Sequence, residues 1–316
     1  MKRSVFSTII SLSYAFFVLI FSLHFYTIYV GQDLYIYNNF YSNIPNDLLE
    51  AYKFYNNSLG SKEPLYFLFV YIFSSIIDKA ILFSICNAFL AYLLCNLFVS
   101  KFRLGFFPTL FLLSNYYLWV VYFPAERLKF AILAFILLVL FNKRYVLFKS
   151  GLTIISHIQG FLLLYQFYLV KYYKDIIKVF AFSSFKSHIR FFFVVSVFLG
   201  LLFLMREHLI TKVEAYANKE TGFDGVLKVL VLMIISLVSS YKKTDVTYVI
   251  LSFLPLLLLS LFLGGDRIVM FAVIQYFYIA LYRNRNGDYI FYIVSFYFLY
   301  KTYDFFSRAY IYGYSF

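Results

Sequence analysis

Apolar runs close to bilayer-spanning length recur along this chain from Val5 to Tyr303, and no polar stretch between them is long enough to fold as a separate soluble domain. Inside hydrocarbon each backbone N–H and C=O must be bonded within the protein, so such runs read as helices. With 63% hydrophobic and 14% charged residues and a mean hydropathy of +0.79, the composition is far from the soluble balance of roughly half apolar and a quarter charged. The expectation is an all-α, polytopic transmembrane helical bundle forming a single integral membrane domain over 1–316.

Met1-Lys2-Arg3 before an apolar run resembles a signal peptide, but Val5 to Val30 is too long and lacks a small-residue cleavage site, so it reads as a retained first helix. Cys86 and Cys95 fall on opposite faces of one expected helix and read as packing residues. Many of the 33 Tyr sit at expected helix ends, where an amphipathic ring suits the headgroup region. The net charge of +13 would suggest nucleic acid in a soluble protein. Here the basic residues cluster in short loops, where they set orientation, and no nucleic-acid partner is expected.

About 11 crossings are expected, near 5–30, 80–100, 106–123, 127–142, 145–157, 160–170, 190–205, 226–241, 246–263, 268–282 and 289–303. Several are short for a span, which usually marks a cavity. The basic clusters are Lys2-Arg3, Lys101 with Arg103, Lys143-Arg144 with Lys149, the set from Lys171 to Arg190, Lys242-Lys243, and Arg283 with Arg285. Only Asp175, Asp245 and Asp288 lie among them, so the whole excess of +13 falls on one side. The positive-inside rule makes that side, and the N-terminus, cytoplasmic. External loops are then expected near 31–63 and 206–225. Consistency requires Pro64 to Ile77 to be re-entrant or in-plane, because Glu63 must be external and Lys101 internal.

Polar residues at the external face are the candidate site. Arg127 follows Pro124-Ala125-Glu126 at the start of an apolar helix; it reads either as a snorkelling interfacial residue paired with Glu126 or as a bidentate diphosphate clamp at a helix N-terminus. Lys129 would add supporting charge. Arg267 follows Gly264-Gly265-Asp266 in the same way, with Asp266 as its neutralising or supporting partner. His157, beside Gln159 and Gly160, reads as a satisfied helix-break histidine or as a base or donor. Glu63 before Pro64 reads as a helix-start carboxylate or as the base for a sugar hydroxyl. The chain has no Asp-x-Asp pair, H-E-x-x-H, Walker lysine loop or Gly-x-Ser-x-Gly, so metal, ATP and Ser-esterase chemistry lose support and no cofactor is expected.

In order and spacing, the Asp33 and Tyr-rich first external segment, Glu63-Pro64-Leu65-Tyr66, Arg127 with Ala131, His157 and Arg267 resemble the Wzy-type polysaccharide polymerases, in their EpsG-like branch. This chain departs from that family in Arg127-Leu128 and in His157-Ile158-Gln159, where the family often shows Arg-Gln and His-His-Ser. The resemblance implies a GT-C-like multipass fold in the bacterial cytoplasmic membrane. It also implies joining of polyprenyl-diphosphate-linked oligosaccharide repeats on the outer face, without metal or nucleotide, alongside membrane lipid and other polysaccharide-assembly proteins. Arg127 and Arg267 would hold the diphosphate, and Glu63 or His157 would act as base. The rival readings are a lipid-linked oligosaccharide flippase or transporter, an O-antigen ligase-type transferase, and an assembly protein with no active site.

Overall fold

A computed structural model describes residues 2–141, 145–180, 224–239, 243–260 and 265–314. Among the described residues there is helix and no strand. The chain forms two compact units, one made of 1–164 with 286–316 and the other of 165–285.

The first unit opens with α1 (Lys2–Ile28), α2 (Gln32–Ser42), α3 (Leu48–Leu59) and α4 (Pro64–Phe73). It continues with α5 (Lys79–Asn96), prolonged by a π-helical turn at Leu97–Lys101, then α6 (Phe106–Leu113), α7 (Tyr116–Tyr122), α8 (Glu126–Leu140), α9 (Val146–Ser156) and the start of α10 (Gly160–Phe180). After the second unit the chain returns as α14 (Tyr289–Tyr312). The expected crossing over 106–123 is thus two short helices that meet at Ser114 and Asn115, whose side chain caps α7. The expected 160–170 segment continues to Phe180, so Lys171, Lys174 and Lys178 lie on a helix instead of in a loop.

Side-chain bonds give the helix directions. Asn87 donates to Ser22 at 3.1 Å and Ser100 to Ser7 at 2.9 Å, so α1 and α5 run antiparallel. Tyr14 donates to the Leu113 carbonyl and Tyr26 to the Tyr122 carbonyl, so α6 and α7 run with α1. Thr302 donates to the Ser114 carbonyl and Val30 N–H to the Gly313 carbonyl, which places α14 in the same direction. Lys79 meets Glu126 and Lys101 meets the Val139 carbonyl, so α8 runs with α5. One end of the bundle therefore carries Tyr29, Lys79, Tyr122, Glu126 and Gly313, and the other carries Lys101.

The segment from 64 to 77 leaves and returns to that first end. Glu63 contacts Arg127 and Lys79 contacts Glu126, so both of its flanks meet the first turn of α8. Ten residues of α4 between two such anchors do not carry the chain to the opposite end. The segment packs instead on α2 and α3, where Tyr41 donates to the Ile77 carbonyl at 2.6 Å and Phe40, Tyr55, Tyr66 and Phe67 share a buried core. α3 starts at Asp47, whose carboxylate accepts from the N–H groups of Leu49 and Glu50, and stops at Gly60, held at φ +56°.

Among the described residues, two helices are long and apolar enough to cross a membrane, Val5–Ile28 and Lys79–Lys101. Phe6, Ile9, Leu12, Phe16 and Ile20 on α1 are each more than half exposed, and Ile293, Phe296 and Tyr300 on α14 likewise face outward. An apolar surface of that extent suits a lipid surround better than water.

The second unit contains the rest of α10, then α11 (Asp224–Val238), α12 (Lys243–Ser260) and α13 (Gly265–Tyr282). Tyr165 donates to the Leu251 carbonyl and Gln166 to the Ser252 carbonyl, which ties α10 to α12. The expected crossing at 190–205 and nearly all of the expected loop at 206–225 lie outside the described residues; Asp224 and Gly225 open α11.

Candidate functional site

At the starts of α4 and α8 and the end of α9, three of the expected residues converge. Glu63 is the N-cap of α4, with Pro64 at the first helical position, where its missing N–H costs no hydrogen bond. Its carboxylate does not cap that helix. Instead Oε2 lies 3.2 Å from Arg127 Nη1 and Oε1 lies 3.5 Å from His157 Nε2. Ser61 donates to Oε2 at 2.7 Å, and Tyr55 in turn donates to the Ser61 hydroxyl at 3.0 Å.

The first turn of α8 sends neighbouring charges in different directions. Arg127 points to Glu63, while its Nε donates to the Tyr37 hydroxyl at 3.0 Å and its guanidinium stands 6.0 Å from the Tyr37 ring centre. Burial pushes the Tyr37 hydroxyl up from its ordinary range, so it stays protonated and accepts from Arg127 through its oxygen. Glu126 is fully buried and pairs with Lys79, whose Nζ is 2.9 Å from Oε1, while Tyr66 donates to Oε2 at 3.0 Å. The expected pairing of Glu126 with Arg127 is therefore replaced by two separate ion pairs, Glu63 with Arg127 and Glu126 with Lys79. Successive helical residues are rotated by about 100°, so adjacent charges face different neighbours.

Lys129 also turns inward. It is fully buried, donates to the Tyr122 carbonyl at 2.9 Å and lies 5.0 Å from the Phe83 ring centre. It supports the fold at the base of α8 and does not sit beside Arg127 as added charge.

α9 ends where His157 adopts extended backbone, and Gly160 starts α10. A side chain at Gly160 would meet the Thr153 carbonyl oxygen at 2.5 Å and Ala131 at 3.2 Å, so only glycine permits this close approach. The Gln159 N–H donates to His157 Nδ1 at 3.0 Å. A neutral ring accepting at Nδ1 carries its proton on Nε2, the nitrogen that faces Glu63. Gln159 contributes through its backbone.

Arg267 lies in the first turn of α13, in the second unit, and is exposed. Asp266 is in the same turn, and Gly264 lies outside the described residues. Among the described residues, no three His, Cys, Asp or Glu side chains are grouped to hold a metal ion.

Sequence reasoning assigned no role to Tyr37, Ser61, Tyr55, Lys79 or Tyr66. Ser61, two residues before Glu63, carried a local signal because a hydroxyl at that spacing can reach the carboxylate. Lys79 carries no such signal, and only the fold shows it buried against α8. No protein-family model, curated protein or solved structure matches this chain.

Proposed function

We propose that this chain is a polytopic, GT-C-like membrane glycosyltransferase that joins polyprenyl-diphosphate-linked oligosaccharide units into a surface polysaccharide. The observation that carries the reading is the contact of Glu63 with Arg127 and His157 at one end of an apolar bundle. A guanidinium and a carboxylate held together there are a charge clamp and a proton acceptor for one reaction.

In the proposed step, the donor diphosphate takes the Arg127 guanidinium in place of Glu63. A carboxylate relieved of its cation is a better proton acceptor. Glu63 then removes the proton from the incoming sugar hydroxyl, the hydroxyl oxygen bonds to the anomeric carbon, and the bond from that carbon to the diphosphate oxygen breaks. The electron pair leaves with the diphosphate, where Arg127 stabilises it. His157 acts as a donor: its Nδ1 accepts from Gln159 and its Nε2 faces Glu63, so this arrangement presents a proton rather than a lone pair to the site. Arg267 is a second phosphate candidate, to be tested independently.

The test is conversion of a purified polyprenyl-diphosphate oligosaccharide by the reconstituted protein, read as product chain length. Arg127→Ala and Glu63→Gln should each reduce turnover by about 10²- to 10³-fold while the protein remains folded. Single-unit transfer to a non-glycan acceptor would favour the ligase reading, and movement of intact substrate across the bilayer without bond formation would favour the flippase reading.

A further inference from the structure

We infer that Glu126, locked by Lys79 and Tyr66, is a positioning residue that aims the Arg127 guanidinium at Glu63. This rests on reading Arg127 as the phosphate-holding cation. The start of α8 has no side-chain cap: Ala125 occupies the N-cap position and has no side-chain oxygen to bond the free N–H groups. The first turn is therefore held by its own side chains and by the rest of α8, without help from a cap. Glu126 supplies a tether to two other helices, with Lys79 of α5 at 2.9 Å and Tyr66 of α4 at 3.0 Å. Lys79 is itself fixed, donating to Asn38 of α2 at 2.7 Å and lying 5.5 Å from the Tyr37 ring centre. Tyr37 touches both systems, because it also accepts from Arg127 Nε. The two ion pairs are thus joined through one backbone link and one tyrosine.

Stability alone does not explain such a pair. Burying two charges is expensive, and an apolar pair of similar volume often serves the fold equally well. An apolar pair has no direction, however, whereas a carboxylate that pairs with the Lys79 ammonium on one oxygen and accepts from Tyr66 on the other favours one rotation of the turn. Arg127, the next residue, is oriented by that choice.

The experiment uses the full-length protein in a cysteine-free background, comparing wild type with the double variant Lys79→Met/Glu126→Met. Three properties are measured: thermal unfolding, affinity for inorganic pyrophosphate, and bridging between introduced Glu63→Cys and Arg127→Cys by a short bifunctional thiol reagent. The first two use the native Glu63 and Arg127. The expected result is a modest fall in unfolding temperature, because Tyr66 loses its acceptor, with pyrophosphate affinity weaker by about tenfold and bridging slowed several-fold. Restoring one ionic partner alone should not rescue either property. Unchanged affinity and bridging would overturn the inference and leave the pair as filling.

If Arg127→Ala binds pyrophosphate as tightly as wild type while bridging still slows, the phosphate reading of Arg127 fails and the positioning role stands. Should the double variant unfold, the isosteric Glu126→Gln is measured in the same way; slowed bridging in a folded protein supports the role, and normal bridging overturns it.

Discussion

Arg127 does two things at once, and both depend on its shape. Nη1 meets Glu63 while Nε meets the Tyr37 hydroxyl, so two acceptors are served from separate nitrogens of one planar fork, a geometry that the single nitrogen of an ammonium does not reproduce. Arg127→Lys should therefore behave nearly as Arg127→Ala in a chain-length assay, despite keeping the charge. Tyr37→Phe keeps the ring beneath both cations and loses one hydrogen bond to a charged donor, about 1.5–3 kcal/mol. Its turnover should fall by roughly tenfold to a hundredfold, with Tyr37→Ala lower still. Equal activity of Tyr37→Phe and wild type would show that the hydroxyl does not orient the guanidinium.

At the scale of elements, the site depends on helix ends more than on helix bodies. α4, α8 and α9 contribute through residues 63, 127 and 157, each at a terminus, so the geometry depends on how those termini are held. Gly160→Ala would drive a methyl group into the Thr153 carbonyl oxygen, which lies 2.5 Å from the place of its Cβ. The expected outcome is a loss of about 1–3 kcal/mol in unfolding free energy and displacement of His157, checked by denaturant unfolding and by activity. The start of α3, two helical turns from Tyr55, provides a control. Asp47→Ala removes a carboxylate that accepts two N–H groups and should cost about 1 kcal/mol of stability with little change in pyrophosphate affinity.

For the whole molecule, the decisive feature is that 64 to 77 returns to the end of the bundle it left. Lys62 and Ser75 are both exposed, one on each flank of α4. In a background lacking Cys86 and Cys95, Lys62→Cys and Ser75→Cys should be labelled from the same side of the membrane by an impermeant maleimide. Labelling from opposite sides would make α4 a crossing and would reverse the orientation of every later helix in the first unit.

The helical class follows from the sequence because it depends on local quantities: apolar run length and the need to bond each backbone group within its own segment. Glu63, Arg127 and His157 were also legible as unusual residues at the edges of apolar runs. Their meeting was not, since 64 and 94 residues separate Glu63 from its two partners and no local pattern encodes the return of α4 to the start of α8. Adjacency misled in the same region: Glu126 and Arg127 are neighbours in sequence, yet helical rotation gives them different partners. Lys79 and Tyr37 carry no local signal at all, and tertiary packing alone buries them beside Glu126 and Arg127. Sequence by itself determined that this chain forms apolar helices with a few charges at their ends. Only the tertiary structure decided which charges pair, because that depends on which helix ends meet and how each first turn is rotated.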